Sequence, residues 1–290
     1  MNTRWLLNLS LLLGVIVLGV FISTSQQDDD APQPRLGGPV ADAVSSIEIK
    51  RQGLADISLL KTAAGKWHMQ NPYMITANTS AINKLLELPN TISRTLFPAA
   101  GHDLATYGLA PEKASLQLNE IRYLFGNIEH INKRRYIMLD NSVHMTTDLF
   151  YHQLRTAPEH FINGSLLDDD IDVATFELPG LQLNRSARGD WAISGSKADG
   201  RDISADAITR LLQHWQHKQV TQITPAQQLD SNQTARLILA DNSVIEFAIV
   251  RTENELLLVR KDLRLQYHFP VVQAPDLLEL MDNLPPKDEG

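Results

Sequence analysis

Two histidines have the spacing of a metal-binding pair. His214 and His217 lie three positions apart, so a helix would place both imidazoles on one face, where they could ligate a metal ion. The sequence offers no evident third ligand. Leu211 and Trp215 on the same predicted helix favour an ordinary amphipathic helix with the histidines at its solvent edge. We therefore predict no metal site.

Three further histidines suggest acid-base chemistry. His144, His152 and His160 recur every eight residues, and Asp148 and Glu159 lie close enough in sequence to act as their acidic partners. A spacing of eight fits neither one face of a helix nor a known ligand motif. We interpret the three histidines as separate, exposed side chains.

Nucleophilic chemistry has little support. The chain has no cysteine, and two serines beside glycine, Ser165 and Ser196, lack the G-x-S-x-G surround of a nucleophile elbow. Both are predicted to be turn residues. Neither a phosphate-binding P-loop nor a dinucleotide-binding glycine pattern occurs. We expect no enzyme activity, no catalytic residue and no cofactor, since a hydrolase would need a histidine, an acid and a serine to converge in the fold.

Charged clusters are the next candidates. Residues 28–30 and 168–170 are aspartate triplets that could bind calcium, but they lack the glycine and glutamate spacing of a calcium loop. Both fall in predicted linkers, and we interpret them as solvated hinges. Lys133, Arg134 and Arg135 form one basic cluster. It could contact phosphate or lipid headgroups, or it could equally be the tip of a hairpin.

Aromatic residues could line a binding groove. Trp67 and Trp191, together with Tyr107, Phe125 and Tyr136, are of the kind that favours ligand surfaces. The two tryptophans hold equivalent positions in two similar stretches of sequence, which favours the core instead. The candidate interaction or groove residues are thus Trp67, Tyr107, Trp191, Lys133, Arg134 and Arg135.

The elements that would position these residues begin with an apolar segment. Residues 5–22 carry no charge, and as a helix they would span about 27 Å, close to the thickness of a bilayer core. Arg4 precedes the segment and the aspartates at 28–30 follow it, which predicts a single transmembrane helix with a cytoplasmic N-terminus. A cleaved signal peptide is the alternative. Both place the following residues in the periplasm or its equivalent, and the first places the chain in the inner membrane.

The remaining chain is predicted to be a polar stalk and two copies of one unit. Short alternating strands, a Gly-containing turn before Trp67, a helix over 79–88 with Thr79 or Ser80 as its N-cap, and a strand over 114–118 occur in that order. A similar order recurs with a strand over 181–185, a Gly-containing turn before Trp191 and a helix around 208–212. We predict an α+β fold, in which a transmembrane helix precedes two tandem sheet-plus-one-helix units with antiparallel strands. The predicted boundaries are 1–22 for the cytoplasmic start and membrane helix, 23–44 for a flexible stalk, 45–162 for the first unit, 163–175 for a linker, 176–282 for the second unit and 283–290 for a disordered tail.

A short motif points to a family. The passage L-x-x-YGL-x-P at residues 104–111, with Asn71 and Pro72 upstream after the Trp67 strand, resembles the domain-of-unknown-function family 4340. The resemblance covers most of residues 47–280. It implies one N-terminal membrane helix and a place beside ABC-type transport systems of the gliding-motility kind, and it implies no agreed activity. The second unit departs from the motif, with QLD at residues 228–230 where YGL would be expected.

These features together favour a binding module. An anchor, a stalk and a sheet-rich body without a catalytic constellation predict a membrane-anchored extracytoplasmic module that binds or positions a protein. The resemblance implies ABC-type transporter subunits as partners, and residues 5–22 would contact the membrane. The alternative is an envelope glycan- or lipid-binding domain that uses the junction between the two units. The net charge of −8 argues against a nucleic-acid partner.

Overall fold

A computed structural model describes residues 13–16, 34–196, 204–227 and 231–280. Residues 13–16 are helical. The rest of the predicted membrane segment at 5–22, the predicted stalk before residue 34 and the predicted tail at 283–290 lie outside the described residues. Within the described ranges, no helix combines the length and the apolar character that crossing a bilayer requires.

The predicted fold class is wrong. It combined a transmembrane helix with α+β units, whereas the described residues form two antiparallel sheets of nine and eight strands with few helices. The short strands that the sequence patterns predicted join into two wide sheets. Each successive hairpin adds a strand to the same sheet and does not begin a new one. A single main helix per sheet then contributes little to the whole, and the described part is mostly β.

The first sheet is built from nine strands in the order β4-β3-β2-β1-β6-β7-β8-β9-β5. Neighbouring strands in each pair run antiparallel, and the chain makes them largely as consecutive hairpins. The strands are β1 (Ser46–Arg51), β2 (Ile57–Lys61), β3 (Trp67–Asn71), β4 (Ile75–Thr76), β5 (Ser93–Pro98), β6 (Ala114–Leu118), β7 (Ile121–Ile128), β8 (Arg134–Leu139) and β9 (Ser142–Thr147).

The second sheet has eight strands in the order β12-β11-β10-β14-β15-β16-β17-β13. Within the described ranges this is the order of the first sheet without a counterpart of β4, so β12 is the last described strand at the end where β4 lies in the first sheet. We call β1–β9 the first half and β10–β17 the second half. The strands are β10 (Val173–Leu178), β11 (Leu181–Arg185), β12 (Trp191–Ser194), β13 (Gln222–Pro225), β14 (Thr234–Leu239), β15 (Val244–Arg251), β16 (Glu255–Arg260) and β17 (Leu265–Pro270).

One longer helix per half connects the two ends of its sheet and closes the core. Helix α1 (Thr79–Leu86) begins after Asn78, whose side-chain oxygen accepts hydrogen bonds from the N–H groups of Ser80 and Ala81 at 3.0 and 3.2 Å. This N-cap differs from the predicted Thr79 or Ser80. Such a cap satisfies two N–H groups that have no partner within the helix. Ile82, Leu85 and Leu86 recur at helical spacing and are buried.

In the second half, helix α3 (Ala205–His217) begins after Ser204, whose hydroxyl accepts from the N–H of Ala207 at 3.3 Å. It buries Ile208, Leu211 and Trp215, and the indole of Trp215 donates to the carbonyl of Leu277 at 2.8 Å. That bond ties α3 to the short helix α4. The two short helices are α2 (Tyr151–Leu154) and α4 (Ala274–Leu278).

Residues 34–37 run along one end of the first sheet. The N–H of Ser93, the first residue of β5, donates to the carbonyl of Pro34 at 2.8 Å, and Leu36 donates to Thr91 at 2.8 Å. Leu36 is buried, and the hydroxyl of Tyr123 donates to the carbonyl of Gly37 at 2.7 Å. Residues 34–37, which the sequence assigned to the stalk, are thus fixed by backbone hydrogen bonds and burial.

Residues 161–170, which we call the joint, hold the two halves together. The N–H of Asn163 donates to Thr76 at 2.9 Å and that of Asn78 donates to Phe161 at 2.8 Å, so the joint pairs with the β4 side of the first half. Towards the second half, the N–H of Val220 donates to Gly164 at 3.2 Å, and that of Leu167 donates to Trp215 at 3.2 Å. Leu166 and Leu167 are each 2% exposed, whereas the side chains of Asp169 and Asp170 in the aspartate triplet are 72% and 68% exposed. The joint is therefore anchored by its leucines and solvated at its aspartates.

Replacement of Leu166 by Ala tests this packing. A buried leucine truncated to alanine loses its burial and leaves a cavity, so the free energy of unfolding should fall by about 2–5 kcal/mol. Asp169→Ala, an exposed change three residues away, is the control and should stay within about 0.5 kcal/mol. Urea unfolding measures both. Equal, small effects would show that the joint is a solvated hinge after all.

Candidate functional site

A cleft of about 450 Å³ opens where the two halves meet the joint. We call it the junction cleft. One wall comes from β3, β4 and the start of α1, the floor from the joint, and the other wall from the end of α3 and the residues after it. It is lined by Lys66, Trp67, Thr76, Ala77, Asn78, Thr79, Ser80, Asn163, Ser165, Asp168, Asp169, Gln216, His217 and Gln219.

The lining of the junction cleft is polar, with four hydroxyl and four amide side chains. Several of them hold each other in place. The Thr76 hydroxyl donates to an Asp168 oxygen at 2.6 Å, and the Gln219 amide donates to the Ser165 hydroxyl at 3.0 Å. Gln216 of α3 also lines the cleft and is half-buried. The cleft therefore presents donors and acceptors whose positions are set by both halves.

The charge of the cleft is slightly negative. Its lining carries the carboxylates of Asp168 and Asp169 against the ammonium of Lys66, which itself lies 3.1 Å from Asp170. The hydrogen bond from Lys66 holds the pKa of Asp170 below its usual value. His217 Nδ1 lies 3.5 Å from Asp169. An anionic ligand would meet unfavourable charge here, while a neutral one would not.

A second cavity of about 340 Å³ lies on the other side of Gln216, which lines both. A larger share of its lining residues is apolar than in the junction cleft, and the lining includes the half-buried indole of Trp191. The apolar residues are Leu167, Ile171, Val173, Trp191 and Leu212, and the polar ones are Asp172, Arg185, Thr209, Gln213 and Gln216.

The two tryptophans from the predicted groove differ. Trp67 is 2% exposed and belongs to the core, with the Lys61 ammonium 5.8 Å from its ring centre. Trp191 faces the second cavity. Phe125 is fully buried. The structure therefore does not bring the predicted aromatic set together in one groove.

Tyr107 lies in a separate aromatic cluster on the first sheet. Its ring centre is 4.8 Å from that of Tyr136 and 5.6 Å from that of Phe97. The N–H of Asn127 donates to the carbonyl of Tyr107 at 2.6 Å, and a Cβ on Gly126 would lie 2.3 Å from that carbonyl. Only glycine at residue 126 lets the Tyr107 loop approach β7 this closely.

The predicted basic cluster is not one surface. Arg135 is 4% exposed, and its guanidinium donates to both oxygens of Asp148 at 2.6 and 2.7 Å while stacking on the Tyr151 ring at 3.6 Å. Lys133 precedes it in the exposed connection before β8. The alternation of a strand explains the split, because Arg134 and Arg135 must face opposite sides. Arg135 is thus a buried ion-pair residue and cannot join its neighbours in contacting phosphate or lipid.

The predicted exposed histidines also separate. His144 is 6% exposed, and its Nδ1 lies 3.0 Å from the hydroxyl of the buried Ser93. Burial lowers the pKa of His144. The expected acidic partners are held elsewhere, since Asp148 pairs with Arg135 and the buried Glu159 accepts the hydroxyl of Tyr73. No histidine, acid and serine converge in the part of the chain that the structure describes.

The remaining candidates lie partly in structural contacts and partly in the junction cleft. His214 Nδ1 lies 2.9 Å from the carbonyl of Asp276, which links α3 to α4, while His217 lies in the junction cleft. Among the described residues, no group of three or more histidine, aspartate or glutamate side chains is placed to hold a metal ion. Ser165 lines the junction cleft, and Ser196 is exposed.

A family model described as "Domain of unknown function (DUF4340)" matches residues 67–257. The chain belongs to this family. Searches of curated proteins and of solved structures give no match. The DUF4340 match begins at Trp67 and ends in β16, so it includes the joint and residues from both walls of the junction cleft. It also contains the Tyr107 motif, whose role in this DUF4340 chain is to dock a loop on β7.

Sequence reasoning missed most of the cleft residues of this DUF4340 chain. Thr76, Asn78, Gln216 and Gln219 are single polar residues at the ends of strands and helices, and they form no motif. The available signal was indirect. A chain with two successive units must have a junction, and polar residues flanking a Leu-Leu pair before an aspartate triplet mark its place.

The pH dependence of unfolding tests the burial of His144. Its pKa is lowered in the folded state and about 6.5 in the unfolded state, so the unfolded state takes up the proton first as the pH falls. Stability conferred by neutral His144 is therefore complete above the unfolded pKa and is lost as the pH falls through the folded pKa. His144→Asn, which can still bond Ser93, should show a shallower loss between about pH 8 and 5 in urea unfolding. If the stability of the unmodified chain and of His144→Asn fell equally with pH, the lowered pKa of His144 would be contradicted.

Proposed function

We propose that this DUF4340 chain is a non-catalytic, extracytoplasmic binding module that holds a neutral, hydroxyl-rich ligand, of the envelope-glycan class, in the junction cleft. One observation carries the proposal. Four hydroxyl and four amide side chains, contributed by both halves and the joint, line a single cleft of about 450 Å³. This volume lies within the range of about 300–1,000 Å³ usual for small-ligand sites.

The chemistry of the lining selects among ligand classes. Sugars present many hydroxyl groups that both donate and accept, and amide and hydroxyl side chains match both roles. A lipid acyl chain would leave these polar groups without partners when it displaced water, at a cost of about 1–3 kcal/mol for each buried group. The carboxylates of Asp168 and Asp169 disfavour anionic polymers. A neutral glycan fits best.

Preorganisation supports binding over flexible scaffolding at this site. The cleft walls are tied to the joint by backbone hydrogen bonds, and Asp168 and Ser165 are held by Thr76 and Gln219. A ligand would therefore not have to order these side chains, which lowers the entropic cost of association.

Protein contact is the second candidate. The family resemblance suggests a partner among ABC-type transporter subunits, and the edge strand β5 supplies a surface, since Leu96 is 51% exposed there. Exposed edge strands readily accept a strand from another chain. A photo-crosslinking amino acid at position 96 should capture a transporter subunit in native membranes, whereas the same group at Gln52, on the β1–β2 turn, should not. Equal capture at both positions would dispose of this candidate.

Gln216→Ala tests the junction cleft directly. Removing this amide should weaken binding of a neutral oligosaccharide about fivefold, because one or two hydrogen bonds are lost. Alanine favours the helix, so the midpoint of thermal unfolding should not fall. The probes are the hexasaccharides of β-1,4-linked glucose and of β-1,4-linked N-acetylglucosamine, measured by isothermal titration calorimetry.

Gln52→Ala is the matched control and should bind as the unmodified chain does, since Gln52 is exposed and outside the cleft. Failure of the unmodified chain to bind either hexasaccharide at about 1 mM would overturn the proposed function, because the interaction would then be weaker than about −4 kcal/mol.

A further inference from the structure

The second cavity is lined by Trp191, the more exposed tryptophan of the repeated pair. Trp191 begins β12, and β12 ends the strand order of the second sheet. In the first half the equivalent strand β3 is followed in the sheet by β4, and the joint packs beyond it. Trp67 is 2% exposed, whereas Trp191, on the last described strand at its end of the second sheet, is half-buried with its indole in the cavity lining.

Polar side chains surround the open indole. Arg185 lies directly opposite Trp191 in the β11–β12 ladder, and its guanidinium donates to Asp172. Gln213 and Thr209 on α3 complete the polar part of the lining. An aromatic face with hydrogen-bonding groups at its rim suits a pyranose ring, which is apolar on its C–H face and polar around its edge.

The cavities form a row. Gln216 lines both the junction cleft and the second cavity. A third cavity of about 290 Å³ follows, and it shares Asp172, Val173, Arg185 and Gly189 with the second. Shared lining residues mean that each cavity adjoins the next. A compact ligand would occupy one of them, whereas an extended chain of similar units would occupy several.

We propose that the second cavity is a stacking subsite for a sugar ring, with Trp191 as its platform, and that the ligand is an oligosaccharide extending from the junction cleft past Gln216. This inference rests on the proposed function and adds the ligand's length and stacking face to it. β-linked pyranoses with equatorial substituents are the class that presents a flat C–H face to an indole. Arg185 and Asp172 then contact hydroxyl groups at the rim of the ring.

Affinity as a function of chain length tests the subsite. The full chain is titrated calorimetrically with β-1,4-linked N-acetylglucosamine oligomers, from the monosaccharide to the hexasaccharide, and with the matching glucose series. Affinity should rise from monosaccharide to tetrasaccharide. Trp191→Ala should weaken hexasaccharide binding about tenfold, because the stacking contact between one sugar ring and the indole is lost. Monosaccharide binding should be unchanged.

Two variants separate stacking from damage to the fold. Trp191→Phe retains a ring and should recover most of the affinity. Ile193→Ala shortens a half-buried side chain on the same face of β12 and should leave affinity unchanged. Thermal unfolding of each variant confirms that β12 is intact.

The outcomes distinguish the two proposals. Binding by the unmodified chain that is independent of oligomer length and of Trp191 overturns the stacking subsite and leaves the junction cleft as the site. Loss of affinity in Trp191→Ala with no effect of Gln216→Ala overturns the extended ligand, because the two cavities would then act separately. Absence of binding to every oligomer overturns both.

Discussion

Backbone hydrogen bonds along the joint determine how the two sheets meet. The joint satisfies N–H and C=O groups beside β4 on one side and beside β13 on the other, so each sheet has one end covered by the same stretch of chain. Uncovered sheet ends present unpaired backbone groups that promote association with other chains. Leu166 and Leu167 add burial to this pairing. The junction cleft exists because this covering leaves a gap between polar side chains and fixes its walls.

A shared strand order does not give the two halves equal surfaces. Strand β4 and the joint lie beyond β3 and Trp67 is buried, whereas β12 has no further neighbour among the residues that the structure describes and Trp191 keeps part of its surface. The difference follows from position in the assembly, since the two tryptophans follow similar Gly-containing turns in sequence. Because of this asymmetry, the first half contributes a buried tryptophan and the second half a partly exposed one to neighbouring cavities.

Individual strands with a buried face could be predicted from the sequence. Residues 114–118 and 181–185 were expected as strands, and they are β6 and β11. By contrast, β5 and β13 were not, because strands at a sheet end bury few side chains and so lack clear alternation. The α+β expectation failed because the number of strands in each sheet depends on pairing between segments that are distant in sequence, which local patterns do not show. Arg135 is another case, since its partner Asp148 and the Tyr151 ring come from elements outside the basic run.

Residues 34–37 have a mechanical consequence. They bond to the β5 end of the first sheet, while the joint and the junction cleft lie at the β4 end. A force pulling on the chain at residue 34 would be borne first by the hydrogen bonds from Ser93 and Leu36 and by the buried Leu36 side chain. Once these contacts yielded, the chain would carry the load to β1, which is separated from β4 by β2 and β3. Tension applied through the preceding residues therefore meets the contacts at the β5 end before it reaches the strands that lead to the junction cleft.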